Sequence, residues 1–225
     1  MSARPVIGLL VIGQAPRPAL LAEFRHVLGE SVTLDMRGAL DHLDEAGLAA
    51  AAPHDDADTL YTTLPDGRSV LISKAAVTEG MAARLHELGK MGATAAFVCC
   101  TGKFPSLAAP GVHFASDLLA GAVQGCLPQG RLGVFIPTPS QEVAARARWE
   151  GRGYETGIVS LQPDAGEADI RAAAQLMAKA EPDLVVHDCI SYTSASKRLA
   201  ASIHGAPALL AATITARFAA ELTGL

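Results

Sequence analysis

Val6-Ile7-Gly8-Leu9-Leu10-Val11-Ile12 runs seven residues without a polar side chain, and its continuity decides the fold class. A strand with one wet face alternates apolar and polar residues. A strand covered on both faces does not, and such strands belong to parallel sheets sandwiched between helices. Gly13-Gln14-Ala15-Pro16-Arg17-Pro18 follows, and its prolines bound a helix expected to reach about Leu28. Working outward, a short strand is expected at Val32 to Met36. Buried strands are expected at Ala95 to Cys99, Leu132 to Ile136 and Leu184 to His187, and a shorter one at Ala208 to Leu210. Helices fit between them at roughly 75–90, 116–125, 139–151, 167–180, 194–203 and 211–222. Strands alternating with helices predict an α/β protein with parallel sheets covered on both faces.

One segment interrupts this rhythm. Thr59 to Leu64, then Pro65-Asp66-Gly67-Arg68, then Ser69 to Ile72 reads as a β-hairpin turning at Asp66-Gly67, an antiparallel insertion in the first lobe. The preceding His54-Asp55-Asp56-Ala57-Asp58 reads as a solvated loop. The two halves echo each other coarsely: each opens on a glycine-containing apolar strand and later has an apolar strand leading to a cysteine, Val6–Gly13 then Cys100, and Leu132–Pro137 then Cys189.

With 225 residues, 50 % of them hydrophobic, the chain has material for one large domain or two lobes of about 100 residues. Aromatics are 4 %, so Ala, Val, Leu and Ile are expected to fill the core. A net charge of −5 and no Lys/Arg cluster argue against a nucleic-acid partner. No apolar stretch approaches the ~20 residues of a membrane span. Met1-Ser2-Ala3-Arg4 leads straight into the first strand without a signal-peptide core, so a cytoplasmic protein with no membrane partner is expected. Four cysteines are too few for a disulfide scaffold and are expected to remain thiols. Serine-hydrolase, P-loop and dinucleotide fingerprints are absent, which argues against nucleotide-dependent chemistry.

Ligands of open α/β sheets bind beyond the carboxyl ends of the strands. Those positions hold Gly13 to Arg17, Cys100-Thr101-Gly102-Lys103-Phe104, Pro137-Thr138-Pro139-Ser140 and Asp188-Cys189-Ile190-Ser191-Tyr192. Two of these stretches present a cysteine followed by hydroxyl residues and then by an expected helix start, a setting that favours a thiolate. Two facing thiols suit removal of a proton from one side of a carbon and return of one to the other, because both pKa values lie near working pH. Strand alternation turns Cys99 and Cys100 to opposite faces. Cys126, at a helix end, reads as a packing residue. His187 reads as a core histidine with satisfied hydrogen bonds. A zinc site from Cys100, Cys189 and His187 lacks ligand spacing, and no metal is expected. Asp188 can orient its loop or accept backbone N–H groups. Arg17 can clamp a carboxylate or lie on the surface; Lys103 can act on Cys100 or be solvated. Tyr192 can hydrogen-bond substrate or cover the cleft.

The runs Ile12-Gly13-Gln14-Ala15-Pro16-Arg17, Cys100-Thr101-Gly102-Lys103-Phe104-Pro105 and Asp188-Cys189-Ile190-Ser191-Tyr192-Thr193 resemble the three signatures of the AroM family. The likeness extends through Leu132-Gly133-Val134-Phe135-Ile136-Pro137 and the closing helix from Leu209 to Leu222. That family is in turn similar to the aspartate/glutamate racemase superfamily, with its hydantoin racemases, maleate isomerases and arylmalonate decarboxylases. The resemblance implies two similar doubly wound parallel-sheet lobes, 1–108 plus 209–225 and 109–208, with the active-site cleft between them. It implies Cys100 and Cys189 as the catalytic pair, with Gln14, Thr101, Thr138, Ile190 and Ser191 binding substrate; Arg17, Gly102 and Tyr192 join the substrate-binding candidates from their places just after the strands. The motifs depart from the racemase pattern in two places: Cys100-Thr101-Gly102 stands for Cys-Asn-Thr, and Asp188-Cys189-Ile190-Ser191 for Gly-Cys-Thr-His.

The expected activity is cofactor-independent racemisation or epimerisation of a small carboxylate or related carbonyl compound. Two alternatives stand beside it: a decarboxylase or cis–trans isomerase working through one cysteine, and a non-catalytic ligand-binding or regulatory protein. A homodimer is left open.

Overall fold

The computed structural model describes residues 4–55 and 58–225. Asp56 and Ala57 of the acidic loop, and Met1 to Ala3, lie outside the described residues. The chain divides into two compact units, Met1–Phe114 with Ala219–Leu225, and Ala115–Phe218.

The first unit runs β1 (Val6–Val11), α1 (Pro18–Leu28), β2 (Thr33–Gly38), α2 (Glu45–Ala50), β3 (Thr59–Thr63), β4 (Ser69–Ser73), α3 (Lys74–Lys90), β5 (Ala95–Cys99), a 3-10 turn at Pro105–Leu107 and β6 (Val112–Phe114). Four of these strands form a parallel sheet in the order β2-β1-β5-β6. The other two pair antiparallel, Thr59 opposite Ser73 and Thr63 opposite Ser69. The hairpin turns as expected, with Gly67 at φ 90°.

The second unit runs α4 (Ala115–Cys126), β7 (Arg131–Ile136), a 3-10 turn at Pro139–Gln141, α5 (Glu142–Glu150), β8 (Glu155–Ser160), α6 (Glu167–Lys179), β9 (Leu184–His187), α7 (Ser194–His204), β10 (Ala208–Leu210) and the start of α8 (Ala211–Thr223), whose residues from Ala219 on belong to the first unit. Its sheet is parallel in the order β10-β9-β7-β8.

Set the hairpin aside, and both sheets have the same order: second strand, first, third, fourth. The echo between the halves of the sequence is therefore a shared topology. It extends to packing. The third residue of each opening strand is glycine, because a helix presses on it. A Cβ on Gly8 would fall 2.6 Å from a methyl of Leu88 in α3, and one on Gly133 would fall 2.6 Å from the sulfur of Met177 in α6. Around these contacts Ile7, Leu9, Leu10 and Phe97 in one unit, and Leu132, Val134, Phe135 and Val185 in the other, are fully buried. Ala, Val, Leu and Ile make up most of the core, as expected, and the few aromatics join them: Phe24, Phe97, Phe104, Phe135, Trp149 and Tyr192 are among the largest fully buried side chains.

Three elements escape a reading by apolar runs. β6 and β8 are edge strands, and β8 carries Glu155, Thr156 and Ser160 with little fully buried surface. α2 has no buried residue and is held at its start by Asp44, whose carboxylate accepts the Gly47 N–H at 2.8 Å. The expected helix at 139–151 begins as a 3-10 turn at Pro139–Gln141 before α5. Among the described residues no helix is long and apolar enough to cross a membrane.

Candidate functional site

In each sheet the strand order reverses between the first and third strands, β1 beside β5 and β7 beside β9. A doubly wound sheet opens a crevice at that point, outside the carboxyl ends of the two strands. The candidate residues of each unit gather there.

In the first unit, Val11 pairs with Cys99, which carries Cys100 level with the end of β1. The loop after β1 is laced to the loop after β2. The Gln14 side-chain nitrogen donates to the carbonyls of Leu40 at 3.1 Å and Leu43 at 2.8 Å. Asp41 accepts the backbone N–H groups of Ala15 and Gly38, both at 2.8 Å. The hairpin rests on the same loop, since a Cβ on Gly13 would fall 2.5 Å from the Thr62 hydroxyl. Arg17 caps α1, half-buried, its N–H directed at the sulfur of Met36.

The paired cysteines separate as strand alternation requires. Cys99 is 1 % exposed, and burial, with Cys100 adding to it, pushes its thiol well up. Cys100 is half-buried and accepts the Gly102 N–H at 3.3 Å. Thr101 and Gly102 are half-buried, and Lys103 is exposed. The expected helix start after Cys100 is not there: Pro105–Leu107 makes only a 3-10 turn and leads into β6. Where a helix start was expected, the donor directed at the sulfur is the Gly102 backbone N–H. Cys126, expected to be packed, is exposed.

In the second unit, Phe135 pairs with His187, and Asp188 continues the ladder by donating its N–H to the Phe135 carbonyl at 2.9 Å. Thr138 and the Cys189 loop therefore stand side by side. The Thr138 and Ser140 hydroxyls bond at 2.9 Å. Cys189 and Ser191 are half-buried, whereas Ile190 and Tyr192 point inward, 7 % and 1 % exposed. The Tyr192 hydroxyl donates to the Leu161 carbonyl at 2.5 Å, so in this structure it braces the loop from beneath. Burial, and behind it Cys189, push this hydroxyl up. α7 opens with Thr193 accepting the Ser196 N–H and Ser196 returning the bond.

His187 is a core residue, as expected, but not a satisfied one. It is fully buried between Phe135 and Tyr192, ring centroids 4.9 and 5.2 Å away, and neither ring nitrogen has a hydrogen-bond partner among the described residues. Burial, then His204 and Lys197, hold its pKa down to about 3. Among the described residues no three His, Cys, Asp or Glu side chains are placed to hold a metal.

The Asp188 side chain reaches α5. Its carboxylate accepts the Trp149 indole N–H at 2.9 Å and pairs with Arg148, both on α5. Arg148 and Trp149 were not among the sequence candidates. Their one signal is that the chain's single tryptophan sits beside an arginine in a short helix.

The family model of the AroM protein matches residues 7–223. This chain belongs to the AroM family. No curated protein matches it by sequence at a significant level. Among solved structures it is similar to arylmalonate decarboxylase, with 15 % identity, a TM-score of 0.64, and coverage of 98 % of this chain and 93 % of that one. A mutant of Nocardia farcinica maleate cis-trans isomerase with a covalently bound succinylcysteine intermediate is similar at 16 % identity and TM-score 0.65, covering 98 % and 93 %. Francisella tularensis glutamate racemase in complex with D-glutamate is similar at 12 % and 0.60, covering 97 % and 81 %. At these identities the likeness establishes the fold: the AroM chain has the racemase-like architecture of two parallel-sheet lobes.

Proposed function

We propose that this AroM-family protein catalyses cofactor-independent proton transfer at a carbon beside a carboxylate or related carbonyl, with Cys100 and Cys189 as the acid–base pair. One observation carries the reading: in both units the third strand of the shared topology leads into a half-buried thiol, level with the loop after the first strand. One thiolate removes the α-proton; the other thiol returns a proton to the opposite face, and the roles exchange in reverse. The Gly102 N–H favours the anion at Cys100. Thr101, Gly102, Arg17, Thr138, Ile190 (through its backbone) and Ser191 are the residues proposed to hold the carboxylate. Gln14, through its side-chain nitrogen, and Tyr192, through its hydroxyl, donate to backbone carbonyls and shape their loops.

A second reading uses Cys189 alone, in a decarboxylase or cis–trans isomerase. It is favoured by the buried side chains that brace the Cys189 loop and by the cysteine adduct in the similar isomerase.

The test is to incubate the protein in deuterated water with D-glutamate, allantoin, maleate and an arylmalonate, and to follow each by NMR. Exchange of an α-proton that is lost in both Cys100→Ser and Cys189→Ser supports the pair. Decarboxylation or isomerisation lost only in Cys189→Ser supports the single thiol. Binding of a carboxylate without turnover leaves a ligand-binding protein and overturns both.

A further inference from the structure

Asp188 immediately precedes Cys189 and its side chain is 1 % exposed. An isolated buried carboxylate is costly, and beside a thiol it opposes thiolate formation. α5 answers both problems with consecutive residues. Trp149 donates its indole N–H, and Arg148, 24 % exposed, supplies the opposite charge. The Arg148 guanidinium also lies over the Trp149 ring, 5.4 Å from its centroid, so the three side chains form one packed cluster. The helix that carries them follows directly on the Thr138 loop, and therefore ties together the two loops at the switch point of this sheet.

We propose that Arg148, Trp149 and Asp188 are the positioning residues of Cys189, locking its loop to α5 and presenting to the sulfur a neutral ion pair in place of a bare carboxylate. This rests on Cys189 being a working thiol in the function proposed above. The other titratable groups around the loop are His187 on β9, Tyr192 within the loop, and Lys197 and His204 on α7. They are common to every variant below.

A neutral pair makes a prediction that a merely structural role does not: removing either half changes the thiol in opposite directions. The measurement is the rate of alkylation of Cys189 by iodoacetamide against pH, read by peptide mass mapping on the full chain. Asp188→Asn keeps the acceptor for Trp149 and leaves the cation, so the midpoint falls by about one pH unit. Arg148→Gln leaves the carboxylate, so the midpoint rises by about one pH unit. The double variant returns to the wild-type profile, and Arg148→Lys restores most of the shift. Shifts in the same direction, or no shift in any variant, overturn the proposal. Should Asp188→Asn fail to fold, the contrast between Arg148→Gln and Arg148→Lys decides alone, since Arg148 is partly exposed. A wild-type midpoint like that of free cysteine, near ~8.5, would count against an activated thiol in the proposed function yet leave the opposed shifts intact.

Discussion

Cys100 and Cys189 follow equivalent strands of two sheets with the same order, yet they are held by different means. The Cys100 loop is shaped by backbone: a Gly102 N–H reaches the sulfur, and behind it stands a second, buried cysteine. The Cys189 loop is held by buried polar side chains, with Asp188 on Trp149 and Arg148, Tyr192 on the Leu161 carbonyl, and His187 enclosed by aromatic rings. Shared topology thus leaves the neighbours of each thiol free to differ. The second loop should be the one whose alteration costs stability, and the first the one that tolerates change.

The sharpest way to break this contrast is Asp188→Ala. It leaves the Arg148 charge and the Trp149 N–H without their acceptor, and the expected loss is ~3–5 kcal/mol in denaturant unfolding; a loss below ~1 kcal/mol would mean that the cluster holds nothing. Next comes pH. His187 is neutral when folded, with a pKa of about 3, and gains a proton on unfolding near its ordinary 6.5. The unfolded chain therefore binds more protons between those values. Stability is fully present above pH 6.5 and falls, by at most ~1.4 kcal/mol per pH unit, as pH drops toward about 3. His187→Leu should flatten that slope in acid melts; an unchanged slope would assign it to other groups. Smaller again is Tyr192→Phe, which leaves the buried Leu161 carbonyl without its donor and should cost ~1–2 kcal/mol by the same unfolding measurement. The smallest effect is expected in the first loop. A Cβ on Gly102 meets the Cys100 sulfur at an ordinary 3.4 Å, so Gly102→Ala should change stability by less than ~0.5 kcal/mol. A larger loss there would erase the difference between the two loops.

The interior of the fold was legible before the structure was. β1, β5, β7 and β9 are strands buried on both faces, and such strands announce themselves as unbroken apolar runs. The hairpin was legible for another local reason, the Asp66-Gly67 turn between two β-rich segments. β6, β8 and α2 were not, because an edge strand or a surface helix buries too little to write a pattern. The thiols were found as residues that follow strands. Their neighbours were not, since Trp149 lies 39 positions from Asp188 along the chain.

The amino-acid sequence by itself determined the α/β class, the central strands and the position of both cysteines at strand ends, because burial on two faces and turn chemistry are properties of short segments. Only the tertiary structure decided that the sheets share one order, that burial holds His187 in its neutral form with no hydrogen-bond partner among the described residues, and that Asp188 is matched by Arg148 and Trp149. Each of those depends on which distant side chain fills the space beside a group, and packing brings such partners together with no trace in local spacing.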